Sequence, residues 1–290
     1  MMCRGKAACL ILLLIICLLT ACGQIPTGMT GNSAASPNGL TLPDDPRYPC
    51  TYPAAEFLND ESYRQYMDDD GTQFRNLLRF YDALCGSTAF TFASFAENPV
   101  ELVNTAIPER CAEAYGTAYA QDSYYDIAGE PAVAALSLQV SESFLELFPL
   151  EIAEGRGFER VDYDTAAQMT IPVILGADYQ GIFRVGDRFE GYYIFERFTF
   201  EVVGIAKSGG VFYNKRTGGP ALYDSYLILP FQGIRTDSPF GRIVLLQKIC
   251  GFVVAENGRD AAGKQIHEYL IDAGLSDWQD QWMMNEKAIG

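Results

Sequence analysis

Residues Ala7 to Ala21 form an uncharged apolar run that starts just after Arg4 and Lys6 and stops at Cys22. A basic start, a short apolar stretch and small residues before a cut site mark an exported chain. A helix that spans a bilayer needs about 20 apolar residues. This run is shorter, and Gly23, Gln24 and Pro26 follow it at once. Two readings stand for residues 1–22, a cleaved signal and an uncleaved anchor. Both place the rest of the chain on the extracytoplasmic side of a cell membrane, held there by its N-terminus.

The boundary Leu19-Thr20-Ala21-Cys22 resembles a bacterial lipoprotein signal. That resemblance makes Cys22 the lipidated residue and membrane lipid its partner. Residues 23–55 are expected to be a flexible linker. Gly, Pro, Ser, Asn and Thr dominate from Gly23 to Pro46, with almost no apolar periodicity. Such a tether lets a lipid-anchored domain stand clear of the bilayer. The folded part is expected to begin near Tyr52.

At 49% apolar the chain can bury a real core. A length of 290 residues suits one large domain or two small ones. The net charge of -16 argues against nucleic acid as a partner, because that binding rests on Lys and Arg meeting phosphate. Of the eight cysteines, Cys3, Cys9 and Cys17 fall in the signal, and on the lipoprotein resemblance Cys22 would carry the lipid. Cys50, Cys85, Cys111 and Cys250 remain, with no C-x-x-C spacing. One or two disulfides and four ordinary thiols are both open.

Phe74, Leu77, Leu78, Tyr81 and Leu84 recur at helical spacing, which predicts a helix over 72–85 ended by Gly86. Residues 88–95 alternate and are aromatic, so they read as a strand. Residues 132–140 read as a strand, and Ser141 caps a short helix through Leu147. From residue 150 the chain turns β-rich. Strands are predicted over 171–175, 187–190, 192–195, 198–205, 226–229 and 249–255, and a helix over 261–273. This order implies an α+β fold: an outer α/β subdomain with an inserted strand-rich subdomain at 150–240.

The stretch from Phe144 to Ile205 carries a resemblance. It holds Phe148-Pro149-Leu150, then Glu154-Gly155-Arg156-Gly157-Phe158 and Asp162. Ile171-Pro172-Val173-Ile174-Leu175-Gly176, Tyr179, Val185-Gly186-Asp187 and Phe200-Glu201-Val202-Val203-Gly204-Ile205 follow. In order and spacing this resembles the extracytoplasmic core domain of MacB-like ABC transporter permeases, the FtsX-like group. The likeness is close over 144–205 and looser over 56–277. Residues 278–290 are then expected to be a membrane-proximal tail.

The same residues have a physical reading. Gly155 and Gly157 flank an arginine where the chain must turn, and Gly186-Asp187 reads as a tight turn between strands. Gly204 inside a strand signals a bulge or a close backbone contact. Arg156 and Asp162 are placed to form an ion pair that fixes the 155–162 turn. These are scaffold features and not chemistry.

Other candidates are weaker. His267 is the only histidine, on a predicted helix with no second ligand at metal spacing. Placing Gly71 of Asp68-Asp69-Asp70-Gly71 at the sixth position of a calcium loop puts Tyr66 first and Leu77 twelfth. An EF-hand needs carboxylates at both. No G-x-S-x-G elbow and no phosphate-binding P-loop occur. Trp278 and Trp282 lie four apart and are expected on one face of a terminal helix, either packed on the domain or as a partner contact. No catalytic, cofactor or metal residue is assigned.

The resemblance implies a non-enzymatic component of an ABC transport system, working with an ATPase subunit and permease subunits in trans. The family's later membrane helices have no counterpart here, since no apolar run of about 18 residues follows residue 250. The chain is expected to be a permease outer domain, on a lipid anchor or truncated before those helices. A stand-alone surface lipoprotein that binds a ligand or protein is the alternative.

Overall fold

The computed structural model describes residues 40–113, 124–164, 170–233 and 236–290. The signal segment 1–22, with Cys22, lies outside the described residues. Within them the chain is α+β, with five α-helices, a mixed sheet of 13 strands and a separate two-stranded hairpin.

The first half runs β1 (Thr51–Glu56), α1 (Asp60–Asp68), α2 (Thr72–Cys85), β2 (Thr91–Glu97), β3 (Val100–Val103), β4 (Tyr124–Ile127), β5 (Glu130–Ala135), β6 (Ser137–Val140) and α3 (Glu142–Leu147). The second half runs β7 (Ile152–Gly155), β8 (Thr170–Leu175), β9 (Arg188–Tyr193), β10 (Glu196–Ala206), β11 (Val211–Asn214), β12 (Gly219–Leu222), β13 (Leu227–Pro230), α4 (Pro239–Lys248), β14 (Gly251–Val254), α5 (Arg259–Asp272) and β15 (Trp282–Met284). The sheet order is β15-β1-β14-β2-β6-β13-β8-β10-β9-β3-β5-β4, with β7 pairing β10 off that path. Among the described strand pairs, only β6 with β13 and β8 with β10 are parallel. Strands β8, β9, β10 and β13, from residues 150–240, lie inside the sheet between β6 and β3, both contributed by the flanking chain.

Local chemistry sets the helix ends. Asn59 accepts hydrogen bonds from the N–H groups of Glu61 and Ser62 and caps α1. At α2 the acidic run is the cap: Gln73 N–H donates to Asp69 Oδ2 at 2.7 Å and Thr72 N–H to Asp70 Oδ1 at 3.1 Å. Ser141 accepts from Phe144 N–H at the start of α3. Ser238 does the same for Gly241 N–H before α4.

Alternation along the strands divides the core between the two faces of the sheet. On one face Ala54, Phe92 and Val253 pack against Tyr66 of α1, Phe74 and Phe80 of α2, Leu245 of α4 and Ile266 of α5. On the other, Phe95 and Phe252 meet Phe144 and Phe148, next to Phe212 and Tyr223. The rings of Phe95 and Phe144 stack 4.7 Å apart. A third cluster (Val100, Val133, Ile171, Phe200 and their neighbours) fills the β-rich half and is closed by Ile243 and Val244 of α4.

Two expectations are corrected here. The linker is shorter than 23–55, because β1 starts at Thr51 and pairs with β14 and β15. Trp278 and Trp282 do not share a helix face. Trp278 ends a 3-10 turn and Trp282 opens β15. They are only 6% and 3% exposed. Trp278 packs edge-on against Tyr66 and Trp282 against Phe80, and the Trp282 indole N–H donates to Ile249 O at 2.8 Å. Large rings with a satisfied N–H are core, and they offer no surface to a partner.

Residues 285–289 run back beside β1. Asn285 N–H donates to Pro53 O at 2.7 Å and Ile289 N–H to Thr51 O at 3.0 Å. Cys50, Cys85, Cys111 and Cys250 form no disulfide among the described residues. No helix of the described residues is long and apolar enough to cross a membrane.

Candidate functional site: the 155–162 knuckle

The motif residues come together on β10. Strand β7 ends at Gly155, which lies opposite Gly204 in the antiparallel β7–β10 pair. Gly155 has φ +75°, and a Cβ there would sit 2.3 Å from Val203 O. A Cβ on Gly204 would sit 2.4 Å from Arg156 O. The register of β10 also shifts between Val202 and Gly204 against β8. Gly204 therefore serves both a bulge and a close backbone approach.

Past Gly155 the chain leaves the sheet as a knuckle. Arg156 N–H still donates to Val203 O at 2.9 Å. Its guanidinium meets Asp162 two-pronged, Nη1 to Oδ2 at 2.5 Å and Nη2 to Oδ1 at 3.1 Å. Glu159 N–H donates to Asp162 Oδ2 at 2.8 Å, and Arg156 Nη1 also reaches Gly157 O at 3.0 Å. The Asp162 side chain is 8% exposed and that of Arg156 41%. A paired, charge-assisted bond is worth up to about 3 kcal/mol when buried. Exposure on the arginine side reduces this pair to about 1 kcal/mol.

The Gly186–Asp187 turn binds the same stretch of β10. Gly186, at φ +92°, donates its N–H to Val202 O at 2.8 Å, and Val202 N–H returns to Asp187 O at 2.9 Å. Asp187 Oδ2 accepts from Arg184 N–H at 2.8 Å and holds the turn. Residues 202–204 thus anchor both loops. Phe158 packs edge-on against Tyr163 at 5.9 Å. A Cβ on Gly157 would meet only Ile152 Cγ1 at 3.9 Å, an ordinary van der Waals contact, so crowding does not select glycine there.

The arrangement is a structural knot with an aliphatic flank. Val161 and Val185 beside it are 62% and 42% exposed. It holds no nucleophile and base in contact. His267 is exposed on α5. Among the described residues no group of three or more His, Cys, Asp or Glu side chains is placed to hold a metal ion.

Sequence reasoning missed two charged clusters. Arg242 on α4 binds Asp237 through Nε and Nη2, and donates to the backbone oxygens of Tyr66 and Asp69, which fastens α4 to α1. Arg216 joins Glu113 and Glu97 from the β11–β12 hairpin. Arg242 lies five residues from Asp237 but 176 from Tyr66 and 173 from Asp69, and Arg216 lies 103 from Glu113, so sequence spacing reveals neither cluster as a whole.

The model of the MacB-like periplasmic core domain family matches residues 62–267. The chain belongs to that family. Two solved structures are similar to it. The extracellular domain of the noncanonic ABC-type transporter YknZ from Gram-positive bacteria is 12% identical, at a TM-score of 0.43, over 81% of this chain and 100% of that one. The periplasmic region of MacB from Actinobacillus actinomycetemcomitans is also 12% identical, at a TM-score of 0.41, over 82% of this chain and 89% of that one. No curated protein matches the sequence.

Proposed function

We propose that this protein is a non-enzymatic extracytoplasmic component of an ABC transporter or permease system. It couples motion driven by an ATPase to an extracellular substrate or partner. The ATPase and permease subunits act in trans, and Cys22 carries the lipid that holds the chain at the membrane. The carrying observation is family membership across residues 62–267. The knotted 155–162 and 186–187 loops support it, since a body that transmits motion must move as one piece.

The test is affinity purification of the tagged full-length chain from solubilised membranes, followed by mass spectrometry. Co-recovery of an ATPase and a multi-helix permease supports the proposal. Recovery of the lipidated chain alone overturns it in favour of a stand-alone binding lipoprotein. Cys22→Ala tests the anchor separately: the variant should lose lipid mass and leave the membrane fraction.

A further inference from the structure

Among the described strands β11 and β12 pair only with each other, so this hairpin is held to the body through side chains, the buried Phe212 ring among them. Its tip is well formed. Asn214 Oδ1 accepts from Thr217 N–H at 2.8 Å, and Gly218 N–H donates to Asn214 O at 3.0 Å. The tip turns two cations toward the sheet. Lys215 Nζ lies 5.4 Å from the Phe95 ring, 5.9 Å from the Phe252 ring and 3.5 Å from Ala54 O. Arg216 reaches Glu113 Oε2 at 3.0 Å and Glu97 Oε2 at 3.6 Å. Asn214 Nδ2 donates to Glu97 Oε2 at 2.8 Å. The Glu97 and Glu113 side chains are 8% and 10% exposed. A single hairpin therefore touches β1, β2, β14 and the segment after β3. That is where the sheet passes from its β1-β14-β2 part to its β6 part.

We propose that the β11–β12 hairpin is an acid-strengthened clasp: it closes over Glu97 at low pH and loosens from the sheet as the pH rises. Burial holds the Glu97 carboxyl above the ordinary range, and the Glu113 charge adds to this. Arg216, Asn214 and Lys215 pull it down without cancelling the burial. Tyr226, whose hydroxyl also meets Asn214, faces the same cluster. Glu56 is a second buried acid within electrostatic range of Lys215 and Tyr63, and burial pushes it up to about 7. With the hairpin lifted, water reaches Glu97 and its carboxyl returns toward an ordinary value of about 4.3. The closed form then binds more protons than the open form above that pH, so opening becomes easier as pH rises. This holds whether or not the protein serves a transporter.

Amide hydrogen exchange on the full chain tests the clasp, at about pH 5 and about pH 8, with rates corrected for intrinsic exchange. Peptides covering 211–222 should lose protection at the higher pH relative to peptides from β8. A carboxyl that holds its proton more tightly in the closed form shifts the balance toward the open form as pH rises. Glu97→Gln should hold the hairpin protected at both. Where that variant does not fold, Arg216→Gln decides. It should weaken the hairpin more at about pH 8 than at about pH 5, because the guanidinium acts on the charged form of the carboxyl. Hairpin protection that ignores pH, tracks β8, or falls equally at both pH values in Arg216→Gln overturns the proposal.

Discussion

Gly155 and Gly204 face each other across the β7–β10 pair, and neither has room for a side chain. Each is blocked by a backbone oxygen, that of Val203 for Gly155 and that of Arg156 for Gly204. The strand pair approaches so closely because both partners lack a Cβ, and the knuckle begins at the next residue.

Alanine at either position must move backbone, and at Gly155 it must also adopt φ +75°. Each substitution should lower unfolding free energy by about 2 kcal/mol or more. Gly157→Ala should stay within about 0.5 kcal/mol. Urea unfolding followed by circular dichroism reads all three. Equal losses at 155 and 157 would show that crowding is not what selects glycine.

Arg156 and Asp162 make a second, separable prediction. Asp162→Asn leaves a guanidinium with a weaker partner beside a buried site and should cost about 2 kcal/mol. Arg156→Lys keeps the charge but loses the fork and should cost about 1 kcal/mol. A double-mutant cycle should return a coupling of about 1 kcal/mol, and zero coupling would leave the pair without energetic meaning.

What is readable in the sequence follows from exposure and periodicity. Helix α2 shows because Phe74, Leu77 and Leu84 are buried while its other face is wet. Helix α4 is invisible, since eight of its ten residues are buried and no polar face marks the period. Residues 192–195 read as a strand, yet Ile194 and Phe195 form the turn of the β9–β10 hairpin with φ +47° and +65°. Two-residue hairpin turns of that hand favour Asn and Gly, so bulky residues there give no signal. Residues 132–140 read as one strand but split around Leu136, because β5 pairs with β3 and β6 with β13. The knuckle is legible because its residues are close in sequence. The Arg216 cluster is not. Glu113 lies 103 residues from Arg216 and Glu97 117 residues from Asn214, so only the folded chain joins them.

Glu56 predicts a pH dependence of global stability. It is buried, accepts from Leu58 N–H at 2.8 Å, and titrates at about 7 when folded. The folded chain binds more protons than the unfolded one between about 4.5 and about 7, so this group's contribution falls as pH rises through that window. Glu56→Gln should raise Tm at about pH 8 and leave it unchanged at about pH 4. A Tm gain of equal size at both would assign the effect to packing.

Lys248 predicts the opposite slope on the alkaline side. Its Nζ donates to Gln232 O at 2.9 Å and lies 5.0 Å from the Tyr81 ring, and burial lowers it to about 8. Between about 8 and 10.5 the unfolded chain binds more protons, so the native protein gains stability with rising pH from this group. Measured against Lys248→Met, that gain should reach about 1–3 kcal/mol. A flat difference across the window would mean the ammonium stays charged in place.

The return of residues 285–289 along β1 has a mechanical consequence. Thr51 and Ile289 meet at the same end of an antiparallel pair. Tension that draws residue 48 away from residue 289 would load these hydrogen bonds singly, peeling the edge open like a zipper at low force. A pull on both together does not part this pair but loads the β1–β14 ladder in shear, several bonds at once. The molecule is weak against being parted at that corner and stiff against being dragged by it.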